Sequence, residues 1–413
     1  MRSILLAAAA SFLLLGAAPP EPVQPSAAVM EGMRLLDEGA YLRGIERLEE
    51  GARAEPDPAG LACQMWQQSR PMIGAWAPPP LLSPKQPSLR AEAAAKIRRA
   101  RVEEALPAIV AGARKTSIVI LNEAHHSPRD RLFGLEVARA LRPLGYDLLA
   151  AETFDNNSSA VERMARERFP RRSTGAYLKE PVFADFVRQA LALGYTPLAY
   201  EQTGEQRRAG EPGIPGREEA EADNLAAIVR AHPDRKILIY VGFHHVTEAP
   251  IDEGSERIEW MAARLKKKVG IDPLTIEQTE LAEDATSHLG REAWALAAPR
   301  LKRTSILRLD GRPLAFGPYA QAVDLQVLHP ATRLRDGRPE WLAALGRSPR
   351  AVPAALLPKH GRRLIQAFLA SEPEDAVPLD QVIAEAGKPA PPLMLPRARI
   401  RFAFQDPEPK RAP

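Results

Sequence analysis

A single cysteine, Cys63, among 413 residues leaves no intramolecular disulfide to form. One lone thiol suits an oxidising compartment better than a chain full of them would, and it leaves stability to a packed core. Past the N-terminus no stretch approaches the ~20 consecutive apolar residues of a membrane-spanning helix. Charge of one sign is also scarce: the net value is +4 and arginine is dispersed, so nothing marks a nucleic-acid partner. The short basic runs at Arg168–Arg172 and Lys266–Lys268 read as solvated helix faces. Two catalytic signatures are missing as well. No G-x-S-x-G elbow supports a nucleophilic serine, and no H-E-x-x-H supplies the helical zinc pair of many metalloproteases.

The chain opens on Met1-Arg2-Ser3, an alanine-rich apolar run through Leu15, and small residues at Gly16-Ala17-Ala18. A basic start, a short apolar stretch and small residues form a secretory signal pattern, expected over residues 1–28, with cleavage after Ala18 or Ala28. No cysteine stands there to accept a lipid. The expected location is therefore periplasmic or secreted.

Residues 29–87 read as a helical hairpin and a proline-rich linker. Apolar Met33, Leu35 and Leu36, then Ile45 and Leu48, mark two amphipathic helices between Glu31 and Pro56. Gly32, Gly39, Tyr41, Gly44, Leu48, Gly51 and Pro56 resemble one tetratricopeptide repeat. A single repeat cannot bury its own apolar face, so the hairpin is expected to pack on the main domain or to offer a protein contact. Pro71, Pro78-Pro79-Pro80, Pro84 and Pro87 predict an extended linker.

Residues 88–350 alternate helical and strand patterns, which predicts an α/β domain with a mainly parallel sheet covered by helices on both faces. A helix is expected over Ala91–Ala111. Strands are expected at Ser117–Leu121, Tyr146–Ala151, Thr196–Tyr200, Lys236–Val241, Leu274–Ile276 and Ala322–Leu328. Helices are expected through Leu132–Leu141 and over Ser159–Arg168, Phe183–Ala192, Glu218–His232 and Ser255–Val269. Residues 351–413 form a C-terminal extension with a helix at Arg362–Leu369 and a strand at Arg399–Phe404. On this division the site lies wholly within 88–350, and a chain cut to that range should keep fold and activity.

In an open parallel sheet, ligands bind beyond the carboxyl ends of the strands. Polar residues stand at those ends while the strand bodies are apolar: Glu123, His125 and His126, then Glu152, Glu201, and His244 with His245. A lone histidine or glutamate there would read as a solvated loop residue. Four strand ends in succession read as one site, built on Glu123, His126, Glu152 and His245.

The run Ile118–His126, Ala151-Glu152, Arg217-Glu218-Glu219 leading to Asn224, and Val241–Val246 resembles the erythromycin esterase and ChaN-like superfamily. That family shows a strand ending in Gly-Glu-x-x-His, a second ending in Glu, an Arg-started helix with a later Asn, and a Gly-x-x-His strand end. The resemblance spans roughly Lys115 to Ile276, and Asn122 replaces the usual glycine. It implies catalytic Glu123, His126, Glu152 and His245, with Arg217, Glu201, Asn224, His125 and His244 toward a small-molecule substrate. Three chemistries stay open. A histidine could activate water for hydrolysis of an ester or related acyl bond. Glu123, His126 and His245 could ligate a divalent metal. One histidine of either pair could be an axial haem ligand. Neighbouring histidines should point to opposite faces, so one of each pair is expected in the site.

Overall fold

A computed structural model describes residues 25–55, 57, 60–74, 88–253 and 256–407. Residues 1–24 of the expected signal segment and the linker prolines from Pro78 to Pro87 lie outside them. Pro71 belongs to the turn Arg70–Ile73 that closes a third N-terminal helix, Leu61–Ser69.

The chain is an α/β protein with a mostly parallel central sheet. Its order is Arg101–Glu104, Ser305–Leu309, Leu325–Leu328, Leu274–Glu277, Ile118–Glu123, Lys236–Gly242, Tyr146–Ala151, Thr196–Leu198. From Leu325–Leu328 onward all neighbours are parallel, and the first two strands run antiparallel at one edge.

Side chains alternate across a strand, so each central strand serves two cores. Val119, Leu121, Leu149, Ala151, Leu238 and Tyr240 face helices Pro128–Leu141 and Pro181–Ala192. Ile118, Ile120, Leu148, Ala150, Ile237, Ile239 and Val241 face helices Gly213–Ala231 and Met261–Val269. Each such apolar side chain contributes about 1.5–3 kcal/mol on burial. Helix starts follow local chemistry. Pro181 takes the first helical position, where a missing N–H costs nothing, and Glu180 accepts the Val182 and Phe183 N–H groups at 2.8 Å.

Four elements differ from expectation. Arg101–Glu104 is a short strand that interrupts the expected Ala91–Ala111 helix, pairing as a polar sheet edge. Ser305–Leu309 completes that edge beside it. The Ser255–Val269 helix begins only at Met261, after a two-stranded ribbon of Ile251–Glu253 and Glu256–Ile258. Arg362–Leu369 is a strand, flanked by antiparallel Asp380–Glu385 and Ile400–Gln405. Leu364 lies under the N-terminal helices while Ile365 and Ala367 pack on the other face. With both faces buried, no alternation marks the strand in sequence.

The N-terminal helices Ala27–Asp37 and Tyr41–Ala54 cross where Gly32 meets Leu48 and the Gly44 backbone. Their apolar face is covered by Leu364 and Ile383 of the C-terminal sheet. The Leu42 N–H donates to Gln405 Oε1 at 3.0 Å, and Gln405 Nε2 donates to the Gly39 carbonyl at 2.7 Å. Buried ion pairs tie the C-terminal part of the chain together and to helix Pro181–Ala192: Arg188 to Glu372, Arg347 to Asp185, and Arg338 to Asp380 of the sheet. Among the described residues, no helix is long and apolar enough to cross a membrane.

Candidate functional site

Alternation along the strands decides which way each terminal carboxylate points. Glu123 ends its strand on the side of Val119 and Leu121 and meets Arg131 of the helix above. Arg131 donates from Nε to Glu123 Oε2 (2.8 Å), from Nη2 to Oε1 (3.2 Å), and from Nη1 to Glu180 Oε2 (3.1 Å). All three side chains are buried. Burial opposes ionisation of Glu123, yet Arg131 and His125 outweigh it and hold the carboxyl below its ordinary range. His125 Nδ1 sits 3.0 Å from Glu123 Oε1. An ionised carboxylate only accepts, so Nδ1 carries the proton and Nε2 presents its lone pair. Tyr177 stacks on the ring at 3.9 Å and Phe243 meets it edge-on at 5.1 Å.

Glu152 follows Ala151 and turns to the other side, toward Arg217 on helix Gly213–Ala231. Arg217 Nη2 donates to Glu152 Oε1 (2.7 Å) and Glu201 Oε2 (2.5 Å), and its Nε lies 2.9 Å from Glu221 Oε1. Arg217 Nη1 lies 3.1 Å from His245 Nε2, and His245 Nδ1 lies 2.9 Å from Glu218 Oε2. A guanidinium cannot accept, so the neutral ring keeps its proton on Nδ1 against Glu218. The second oxygen of Glu152 accepts the Gly242 N–H at 2.6 Å. His125 Nε2 and His245 Nε2 stand 4.0 and 3.9 Å from the same atom, Glu152 Oε1.

Four carboxyls thus surround one buried arginine and one buried imidazole, and Glu152 and Glu221 are shifted in opposite directions. Burial disfavours ionised Glu152, but His245, Arg217 and His125 prevail and hold it well below the usual carboxylate range. Glu221 goes the other way: burial, with Glu201, Glu218 and Glu152 nearby, outweighs Arg217 and raises its proton affinity well above the ordinary value. For His245, burial opposes protonation, while Glu218 and Glu152 raise its affinity above the ordinary imidazole range. A ring whose Nδ1 is anchored and whose proton affinity is raised is suited to hold a proton passed to it.

The expected quartet is therefore altered in one member. Glu123, Glu152 and His245 join one network, and His125 takes the place assigned to His126. His126 Nε2 instead faces the Asp284 carbonyl at 3.0 Å and lines a separate cavity. Neighbouring histidines do split: His244 leaves the site and lies against Trp260 and Tyr319. Of the residues expected toward substrate, Arg217, Glu201 and His125 are in the network. Asn224 supports it from behind, donating to the Tyr200 carbonyl at 2.9 Å and so fixing the loop of Glu201. Asn122, where glycine was usual, accepts from the Gln278 N–H and donates to the Phe243 carbonyl, both at 2.8 Å, which joins adjacent strand ends.

The expected metal trio does not assemble, because His126 points elsewhere. Glu218, Glu221 and His245 do offer ligand atoms within 4.8 Å of one another. Arg217 already places its charge against Glu221 there, so this pocket of carboxylates holds a cation of its own.

Sequence reasoning passed over Arg131, Glu180 and Glu221, and took Gly242 only as the glycine of the Gly-x-x-His strand end. Glu221 follows Arg217 by four residues, the spacing that puts two side chains on one helix face. Glu180-Pro181 is a helix-start signal that could have been read. Arg131 carried none: its role comes from elements that meet only in the fold.

A scan of protein-family models finds no match to the chain, and a search of curated proteins finds none. Solved structures give partial overlaps. RRSP, a MARTX toxin effector domain from Vibrio vulnificus, matches at 16% identity and a TM-score of 0.32, over 57% of this chain and 54% of its own. The chain thus spans about half the length of that protein. The type III effector HopBA1 matches at 13% identity and a TM-score of 0.32, over 56% of this chain and 96% of its own. A structure described as bacterial protein toxins matches at 15% identity and a TM-score of 0.34, over 56% of this chain and 55% of its own.

Proposed function

We propose that this chain is an exported hydrolase of the erythromycin esterase and ChaN-like kind, cleaving an ester or related acyl bond with water as the nucleophile. One observation carries the reading. Two imidazoles, each with Nδ1 anchored by its own buried carboxylate, turn Nε2 toward the same Glu152 oxygen. A structural plug needs no such duplication. A pair of oriented bases around an ionised carboxylate is what proton transfer in both directions requires.

In this scheme one imidazole takes a proton from water as it attacks the carbonyl carbon. Its Glu123 or Glu218 partner steadies the charge that forms. Arg217, already turned inward, stabilises the developing oxyanion, and the imidazole that took the proton returns it, directly or through Glu221, to the leaving oxygen or nitrogen. Export is supported by the basic, apolar and small residues in order over Met1–Ala18.

The test is hydrolysis of a panel of esters, lactones and peptides by the full chain, with and without chelator. The expected result is turnover of at least one acyl substrate that chelator leaves intact. Loss of turnover with chelator would move the reading to a metal centre. A shifted Soret band on haem titration, with no turnover on any substrate, would replace it with ligand binding.

A further inference from the structure

A cavity of about 490 Å³ lies apart from the network above, and none of Glu152, Arg217 or His245 lines it. Three parts of the chain wall it. Arg70 comes from the N-terminal helices, Arg129 and Trp294 from the α/β core, and Leu334 and Trp341 from the loops before the C-terminal sheet. That volume is in the range of small-ligand sites, which pair an apolar body with a few placed polar groups.

The polar groups of the wall are not equally satisfied. Glu283 Oε2 accepts the Thr332 N–H at 2.9 Å, and Asp130 accepts from the Ala124 N–H and the Ser127 hydroxyl. Asp284 lies 3.8 Å from His126. Burial, with Asp284 and Glu123 near, also pushes Asp130 well above its ordinary value. Arg129 is different: among the described residues its buried Nε has no hydrogen-bond partner, and its Nη2 donates to Thr304 Oγ1 at 3.5 Å. Arg129 lies in the first turn of helix Pro128–Leu141, whose positive end also faces the cavity. The guanidinium rests 5.8 Å from the centre of the Trp341 ring. Leu334 is 60% exposed at the rim among the described residues.

We propose that this cavity is a second small-molecule site, for a ligand with an anionic group on an aromatic or apolar ring. A carboxylate or phosphate would pair with the Arg129 guanidinium at the helix end. The ring would lie among Trp341, Trp294 and Leu334. This site is separate from the proposed hydrolytic centre and stands whether or not hydrolysis is found.

Phenylacetate and phenyl phosphate are titrated into the full chain, with benzyl alcohol as the neutral comparator, following indole N–H resonances and calorimetry. Either anion should shift the Trp294 and Trp341 resonances while Trp260 stays still, and benzyl alcohol should bind at least tenfold more weakly. Arg129→Met should weaken the anion roughly tenfold or more, and Arg129→Lys should keep part of the affinity. Glu152→Gln should bind like the parent chain, which separates this site from the hydrolytic one. Equal binding of the neutral comparator, or shifts at Trp260 alone, overturns the proposal on the unmodified protein. Undiminished affinity in Arg129→Met overturns it too.

Discussion

Gly242→Ala adds one methyl at the point where the two halves of the site meet. A Cβ there would lie 2.4 Å from His125 Cε1, 2.6 Å from its Nε2 and 2.9 Å from Glu152 Oε2. Ordinary carbon contacts stand at ~3.5–4.0 Å, so the overlap with the ring is about 1 Å or more. The backbone itself does not object, since Gly242 sits at φ −87° and ψ 148°, open to alanine. Glycine to alanine at such a position gains about 0.4–1 kcal/mol from the unfolded chain. Overpacking costs about 1–3 kcal/mol. Crowding wins because neither neighbour can yield cheaply: His125 is held by Glu123, Tyr177 and Phe243, and Glu152 by Arg217 and the Gly242 N–H. The expected result is a melting temperature lower by a few degrees and, on any substrate found, a loss of ~10²-fold from displacing a reacting group by about 1 Å. A variant with unchanged melting and unchanged rate would refute the placement of His125 against Gly242.

Arg131→Met should cost about 3–5 kcal/mol in denaturant unfolding, because Glu123 and Glu180 lose the buried cation they share. A chain cut to residues 88–350 should be less stable than the full chain, since Arg188 loses Glu372 and the N-terminal helices and C-terminal sheet that cover each other are both removed; equal unfolding midpoints would show the two units to be independent. Glu280 is pushed up to about 7 by burial and by Glu277, against a hydrogen bond from Ser287. The folded state then holds a proton that the unfolded chain has given up, so this group should subtract stability as pH rises from about 4.5 to about 7. Glu280→Gln should remove that slope, and a parent chain whose stability rises over the same window relative to the variant would reverse the assignment.

The sheet was legible because its central strands are short, apolar and bounded by turn residues, and Tyr146–Ala151 matches its expected bounds at both ends. The edge was not: Arg101–Glu104 is polar, and only its pairing with Ser305–Leu309 makes it a strand. Arg362–Leu369 misled for the opposite reason, as burial of both faces erased the period that separates strand from helix. For the site, strand ends told which residues gather, since parallel strands deliver their last side chains to one edge. They did not tell which of two adjacent histidines turns inward. That choice depends on Glu123 leaving its strand toward Arg131, with the Nδ1 of His125 drawn after it. Periodicity also could not show the raised proton affinity of Glu221, because the cause is its burial where Glu152 and Glu201 meet the helix that carries Glu218 and Glu221.

The central claim is that Glu152 is an ionised carboxylate between two oriented imidazoles that move protons during acyl cleavage. Glu152→Gln keeps the shape, removes the charge, and is compared with the parent chain for turnover of the best substrate and for unfolding midpoint in the same preparation. The account predicts a rate lower by ~10³-fold or more with the fold retained, a loss of the same order in His125→Ala, and a smaller loss in His126→Ala. Full activity in folded Glu152→Gln would contradict it, as would a His126→Ala defect larger than that of His125→Ala.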